Sequence, residues 1–221
     1  MDPAEIEAHC RAHFRSKYGR DLVGPYYLLE RQVISHLKAL LTGYYRPLVA
    51  EKEVVVTALE YEDEIRIDGC RLAGRMDCIE TRDGKIHIID FKTGASSAYL
   101  RTRFDKLDPA DPATWHQAIR SLQLPCYLVI YAGSKGISHA SLNAAYLLLG
   151  RSVINREIEL KLFQEGEAAA GYDALSSVIR SLLREITNSH TPFRPAADMK
   201  ESCPACDFRY ICGTQWIVSR K

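Results

Sequence analysis

Few features of this sequence are extreme, and what is scarce narrows the function. Lysine and arginine number 29 against 28 aspartates and glutamates, a formal charge of +1. The chain is therefore no polycation, and any attraction for nucleic acid must come from local patches. No stretch approaches the ~18 uninterrupted apolar residues of a membrane helix. The N-terminus, MDPAEIEAHC, has neither the basic start nor the apolar run of a secretory signal, so a cytoplasmic location with no membrane contact is expected. Internal repeats and low-complexity tracts are missing as well. Cysteine is not scarce, but seven is an odd number. A reducing compartment disfavours a disulfide framework, which leaves metal ligation as the better reading.

What is present suits one globular unit. Of 221 residues, 47% are hydrophobic, enough for one large core, so residues 1–221 are read as a single domain with its core over about 26–190. Apolar spacing predicts helices over 3–18 and 26–42, with Pro25 in a first turn, and over 114–132 and 167–189, the last ending near Asn188. EKEVVVTALE (51–60) reads as a strand, the following EDE as a turn, and Arg71 to Glu80 as a second strand or pair of strands. Residues 141–149 and 153–160 look like two more strands. Residues 95–113, polar and carrying two prolines, read as a long loop over the site, a kind of segment often functional.

The chemistry concentrates in GRMDCIETRDGKIHIIDFKTG, residues 74–94. Asp83-Gly84 is a strong hairpin-turn pair, because a type I′ turn needs positive φ at both central positions. Centred there, the hairpin sets Asp77 opposite Asp90, Ile79 opposite Ile88 and Arg75 opposite Lys92. Strict alternation then places those six on one face and Met76, Cys78, Ile89 and Phe91 on the other. Directly opposed residues have Cβ atoms about 4.5–5.5 Å apart, and like charges so placed destabilise a sheet. A hard divalent cation such as Mg²⁺, typically held by one or two carboxylates, water and phosphate oxygens, would reconcile them. Lys92 lies within reach as a cation for a phosphoryl transition state. An ordinary exposed ion pair among Asp90, Lys92 and Arg75 is the competing interpretation.

Two further clusters stand out. Gln123 and Tyr127 share a helical face, with Arg120 and Tyr131 beside it, a combination suited to a DNA strand. Pro125 is expected to kink that helix. Near the C-terminus, Cys203-Pro204-Ala205-Cys206 with Cys212 forms C-x2-C-x5-C, a metal-ligand spacing that zinc or a [4Fe–4S] cluster would satisfy equally. Cys78 and Cys126 are most simply small buried hydrophobes, and Cys70 also sits by the core.

Taken in order, Gly74-Arg75-Met76-Asp77, Asp90-Phe91-Lys92-Thr93-Gly94, Gln123-Leu124-Pro125-Cys126-Tyr127 and the tail cysteines resemble the motif series of the RecB/AddB branch of the PD-(D/E)XK nucleases. Its iron–sulfur members include AddB and the CRISPR adaptation nucleases. The resemblance implies an α/β, restriction-endonuclease-like fold, a mixed central β-sheet flanked by helices. It implies a metal-dependent deoxyribonuclease, an exonuclease on single strands or frayed ends, in which Asp77, Asp90 and the Phe91 carbonyl hold Mg²⁺ or Mn²⁺ and Lys92 positions or activates water. Met76 stands where the superfamily name would put proline. The branch adds a metal histidine from an upstream helix, which maps to His36, with Glu51 and Glu53 as fallback carboxylates. Cys10-Arg11-Ala12-His13-Phe14 resembles the C-P-x-x-F segment, so Cys10 would join Cys203, Cys206 and Cys212 around a [4Fe–4S] cluster, tying helix 3–18 to a tail over about 191–215. DNA is the implied partner, contacted by Gln123, Tyr127, Arg75 and Arg120, with a helicase subunit or CRISPR integrase as a second. A non-catalytic binding module of the same fold and a zinc-stabilised interaction domain are the alternatives.

Overall fold

A computed structural model describes residues 2–19, 22–94, 96–192 and 199–218. Ala95 and residues 193–198, which belong to the expected loop and tail, lie outside the described residues. Helix α1 (Pro3–Tyr18) opens with a reciprocal cap: the Asp2 carboxylate accepts the Ala4 amide at 3.0 Å, and the Asp2 amide donates to Glu5 Oε2 at 3.1 Å. Helix α2 (Pro25–Ala39) starts on Pro25, as anticipated. It does not stop near residue 42. The chain stays helical through a wide π turn, Leu40–Tyr45, into α3 (Arg46–Glu51). Pro47 supplies a reason, since its ring would crowd the carbonyl four residues back in a regular helix, and a widened turn relieves that clash. Gly43 sits in the same turn because a Cβ there would stand 2.0 Å from the Ile154 carbonyl oxygen.

Three antiparallel strands follow, β1 (Val54–Ile67), β2 (Cys70–Arg82) and β3 (Lys85–Lys92). Asp83-Gly84 turns with φ of +50° and +77°, as the dipeptide demands. The turn before β2 is Asp68-Gly69, with φ of +49° and +82°. The anticipated EDE turn is wrong: Glu62, Asp63 and Glu64 lie inside β1 and pair with Arg75, Gly74 and Ala73. After the long loop come α4 (Pro112–Ala118) and α5 (Gln123–Lys135), two helices where one was expected. Pro125 consequently falls in the first turn of α5, where an amide has no intrahelical partner, and it kinks nothing.

Strand β4 (Leu142–Leu148) lies parallel to β3, and β5 (Glu159–Lys161) antiparallel to β4. Of the expected strand 153–160 only Glu159 and Leu160 enter a ladder, as part of β5, with a 3₁₀ turn, Arg156–Ile158, before them. Helix α6 (Ala168–Thr187) ends at Asn188, and a short α7 (Met199–Ser202) opens the tail. Among the described residues the sheet has five strands in the order β1-β2-β3-β4-β5. This is the mixed sheet with flanking helices of the restriction-endonuclease-like class.

Both faces of the sheet are covered, which explains why β4 is buried nearly throughout and shows no alternation. On one face Met76, Ile79, Ile88 and Tyr146 pack with Leu124 and Leu128 of α5. On the other, Leu40, Tyr44 and Leu48 from the π turn and α3 meet Cys78, Ile89 and Leu147. Met76 and Ile79 share a face although three apart, so strict alternation fails between them. The β1–β2 register omits Glu60 and Asp77, and Glu60 is left-handed at φ +49°. That local irregularity is why Met76 lies on the α5 face rather than with Cys78.

Candidate active site

The site forms where β2 and β3 part company. Their ladder follows the anticipated register through Cys78–Ile89 and then ends. In place of a further main-chain bond, Asp77 Oδ2 accepts the Phe91 amide at 2.8 Å. One oxygen of Asp77 is thus engaged by the neighbouring backbone, while its charge still bears on Asp90. Asp90 is 2% exposed. Its Oδ1 accepts the Gln123 side-chain amide at 2.7 Å, and its Oδ2 stands 2.6 Å from Lys92 Nζ.

Gln123 joins these groups. Its Oε1 accepts from Lys92 Nζ at 2.7 Å, while Nε2 donates to Asp90 and to the Tyr127 hydroxyl at 2.9 Å. Lys92 Nζ also lies 5.2 Å from the Tyr146 ring centroid, over its face. Burial raises the Asp90 carboxyl above the usual carboxylate range; Lys92 opposes that shift and the Asp77 charge adds to it. The expected Asp77–Asp90 rung is not part of the ladder, which ends one pair earlier, but Asp77 reaches the main chain next to Asp90 through the Phe91 amide.

Gly74 brings α5 close enough to do this. A Cβ at Gly74 would meet Tyr127 and Ile130 side-chain atoms at 3.0–3.1 Å, so the glycine permits strand and helix to approach. Sequence reasoning missed Ser121 and Tyr146. Ser121 Oγ and Tyr146 Oη are 2.9 Å apart, and Tyr146 is 1% exposed beneath Lys92. An aromatic inside an apolar strand carries no signal of such a role.

Other expected residues are placed elsewhere. Arg75 is not on the Asp90 face; its Nε donates to Glu60 at 2.7 Å, with both side chains 59% exposed. Arg120 stacks on Tyr99, its guanidinium 5.4 Å from the ring centroid. His36 is exposed on α2, its Nδ1 3.0 Å from the Gln32 carbonyl. Glu51 ends α3 and pairs with Arg156 at 3.0 Å, and Glu53 is an exposed residue ahead of β1. Tyr131 packs edge-on against Tyr61.

Among the described residues no three His, Cys, Asp or Glu side chains converge where they could share a metal ion. His36 therefore does not join Asp77 and Asp90. Nor do Cys10, Cys203, Cys206 and Cys212 gather round a common centre. Cys10 is half-buried on α1, its thiol pushed up by burial and by the charge of Glu30 in α2. Cys203 is buried, with Cys206 and Cys212 half-buried in the tail, and the Cys206 amide donates to the Cys203 carbonyl at 3.1 Å across the C-x2-C turn. Burial pushes the Cys78 thiol up to about 12 and Cys126 up to about 11, in keeping with their reading as small hydrophobes.

The remaining donors suit a hard cation. Carboxylate oxygens are donors of the kind such a cation takes, and buried Asp90 Oδ2, though ion-paired with Lys92, has no aligned hydrogen bond. Two carboxylates, a lysine and a glutamine thus meet at the parting of two strands of a mixed sheet. The chain belongs to the PD-(D/E)XK nuclease superfamily, whose family model matches residues 2–213. Superfamily members generally use Mg²⁺ or Mn²⁺ and act on DNA. No curated protein matches. A solved structure described as the crystal structure of SSO0001 shares 20% identity, over 95% of this chain and 85% of that one, with a TM-score of 0.30.

Proposed function

We propose that the chain is a metal-dependent deoxyribonuclease in which Asp77, Asp90 and the Phe91 carbonyl bind Mg²⁺ or Mn²⁺, acting on single strands or frayed ends of DNA. The observation that carries this reading is the bonded set Asp90–Gln123–Lys92 beside Asp77, built on three separate elements. A divalent ion held there supplies Lewis-acid chemistry, neutralising phosphate charge and acidifying water. The protein's own groups do the rest. Lys92, held by Asp90 and Gln123, donates to a phosphate oxygen as negative charge accumulates on it. Gln123 keeps the Asp90 carboxylate and the Lys92 ammonium at a fixed separation, so that both groups are placed before substrate arrives. Tyr127, bonded to Gln123, restrains the amide in turn.

Asp90→Asn tests the assignment, because the amide is close in size and leaves packing intact. Cleavage of end-labelled DNA in Mg²⁺ or Mn²⁺ should vanish while the melting temperature stays within a few degrees. Retained cleavage by a well-folded variant removes Asp90 from the reaction.

A further inference from the structure

Helix α5 carries Gln123, yet the residue at its N-cap position does not hold it in place. Leu122 occupies the N-cap position and its side chain makes no capping bond. Helices normally satisfy their first amides with a serine, threonine, aspartate or asparagine at that position. Here Ser121, one residue earlier, takes over: its Oγ accepts the Gln123 amide at 3.3 Å. Ser121 is itself bonded to Tyr146 Oη at 2.9 Å. Tyr146 belongs to β4, paired in register with Asp90 of β3. A continuous bonded path therefore leaves the sheet beside Asp90, passes through Tyr146 and Ser121, and reaches the Gln123 main chain. The Gln123 side chain then returns to Asp90 and Lys92 at 2.7 Å each.

We propose that Tyr146 and Ser121 are positioning residues: together they anchor the start of α5 to the sheet, setting the placement of Gln123 against Asp90 and Lys92, while the Tyr146 ring supports the Lys92 ammonium. Burial makes the anchor rigid, since a tyrosine 1% exposed has little rotamer freedom. This inference rests on the nuclease reading for its kinetics, but the bonded path belongs to the protein without substrate or metal.

Tyr146→Phe keeps the ring beneath Lys92 and deletes the hydroxyl; Ser121→Ala breaks the path at its other end, and Ser121→Thr keeps it. Each breaking variant should lower kcat for DNA cleavage about tenfold, the worth of one positioning hydrogen bond, with KM unchanged. Ser121→Thr should restore the rate. Because both act through Gln123, Tyr146→Phe added to Gln123→Ala should cost nothing beyond Gln123→Ala alone. Multiplicative losses, or a Tyr146→Phe enzyme as fast as the parent, overturn the proposal. A second readout needs no activity: the side-chain amide ¹⁵N–¹H signals of Gln123 in the metal-free protein should move toward free-amide values in Tyr146→Phe. If those signals stay put, the anchor is refuted. If they move while the parent protein cleaves no DNA, the anchor stands and the nuclease reading falls.

Discussion

Arg82 makes the densest set of charged contacts away from the active site. Its guanidinium donates to Glu80 and Glu159 at 2.5 Å each and to the Tyr44 hydroxyl at 2.8 Å, all on the sheet face opposite α5. Arg82 and Glu159 side chains are 3% exposed and Glu80 is 0%. Removing one member of such a set leaves uncompensated charge where water cannot reach it. Arg82→Leu should therefore destabilise by about 3–5 kcal/mol in urea unfolding, although each residue alone reads as an unremarkable strand charge. A cost below about 1 kcal/mol would mean that solvent relieves the two glutamates. The contrast is Arg75, also paired with a glutamate but on the surface, where such a pair contributes ~0–1 kcal/mol.

Among the elements, α5 and β2 are the pair on which the site depends. Gly74→Ala would press a methyl against Tyr127 and Ile130 at 3.0–3.1 Å, contacts tighter than packed cores accept, so helix or strand must yield. The expected cost is about 1–3 kcal/mol in chemical denaturation, as for other overpacked sites. It should come with a fall in cleavage rate, because Gln123 rides on the displaced helix. An unchanged rate in the destabilised variant would show that Gln123 is not placed by this contact. Element type was largely legible: α1, α6, the β2–β3 hairpin and its turn all match residue pattern and turn chemistry. The misreadings have specific causes. Glu62, Asp63 and Glu64 look like a turn but sit on a long, largely exposed β1, where charge is compatible with strand. Pro125 looks like a helix breaker only if the helix starts before it. A π turn leaves no trace in apolar spacing because leucines and tyrosines four apart suit it as well as an α-helix.

For the molecule as a whole, acid should be more damaging than composition suggests. His87, directly across from Glu80, is held down to about 3 from 6.5, first by burial and then by the charges of Arg82, Lys161, Lys52 and Lys85. In the unfolded chain it takes a proton near 6.5. Between those values the unfolded state binds the extra proton, so His87's contribution is complete above pH 6.5 and shrinks as pH falls toward 3, by up to ~1.4 kcal/mol per pH unit. Glu80 acts the other way, since burial raises its carboxyl and the folded state takes that proton first. Comparing the parent with His87→Leu isolates the histidine: the variant should lose less stability between pH 6.5 and 4. Parallel pH profiles for the two would mean that His87 is protonated in the folded state. No helix of the described residues is long and apolar enough to cross a membrane.

The sequence by itself determined helices α1 and α6, the β2–β3 turn and its register as far as Cys78–Ile89, and so the closeness of Asp90 and Lys92 on β3, because local turn geometry and strand pairing act over a few residues. It also identified Gln123 and Tyr127 as one helical face. Only tertiary structure decided that Arg75 turns to Glu60, that His36 stays on the surface, and that Ser121 and Tyr146 hold the start of α5. Those outcomes depend on which helix packs against which face of the sheet, and on one left-handed residue, Glu60, where alternation slips. Long-range packing of that kind leaves no periodic mark in the chain.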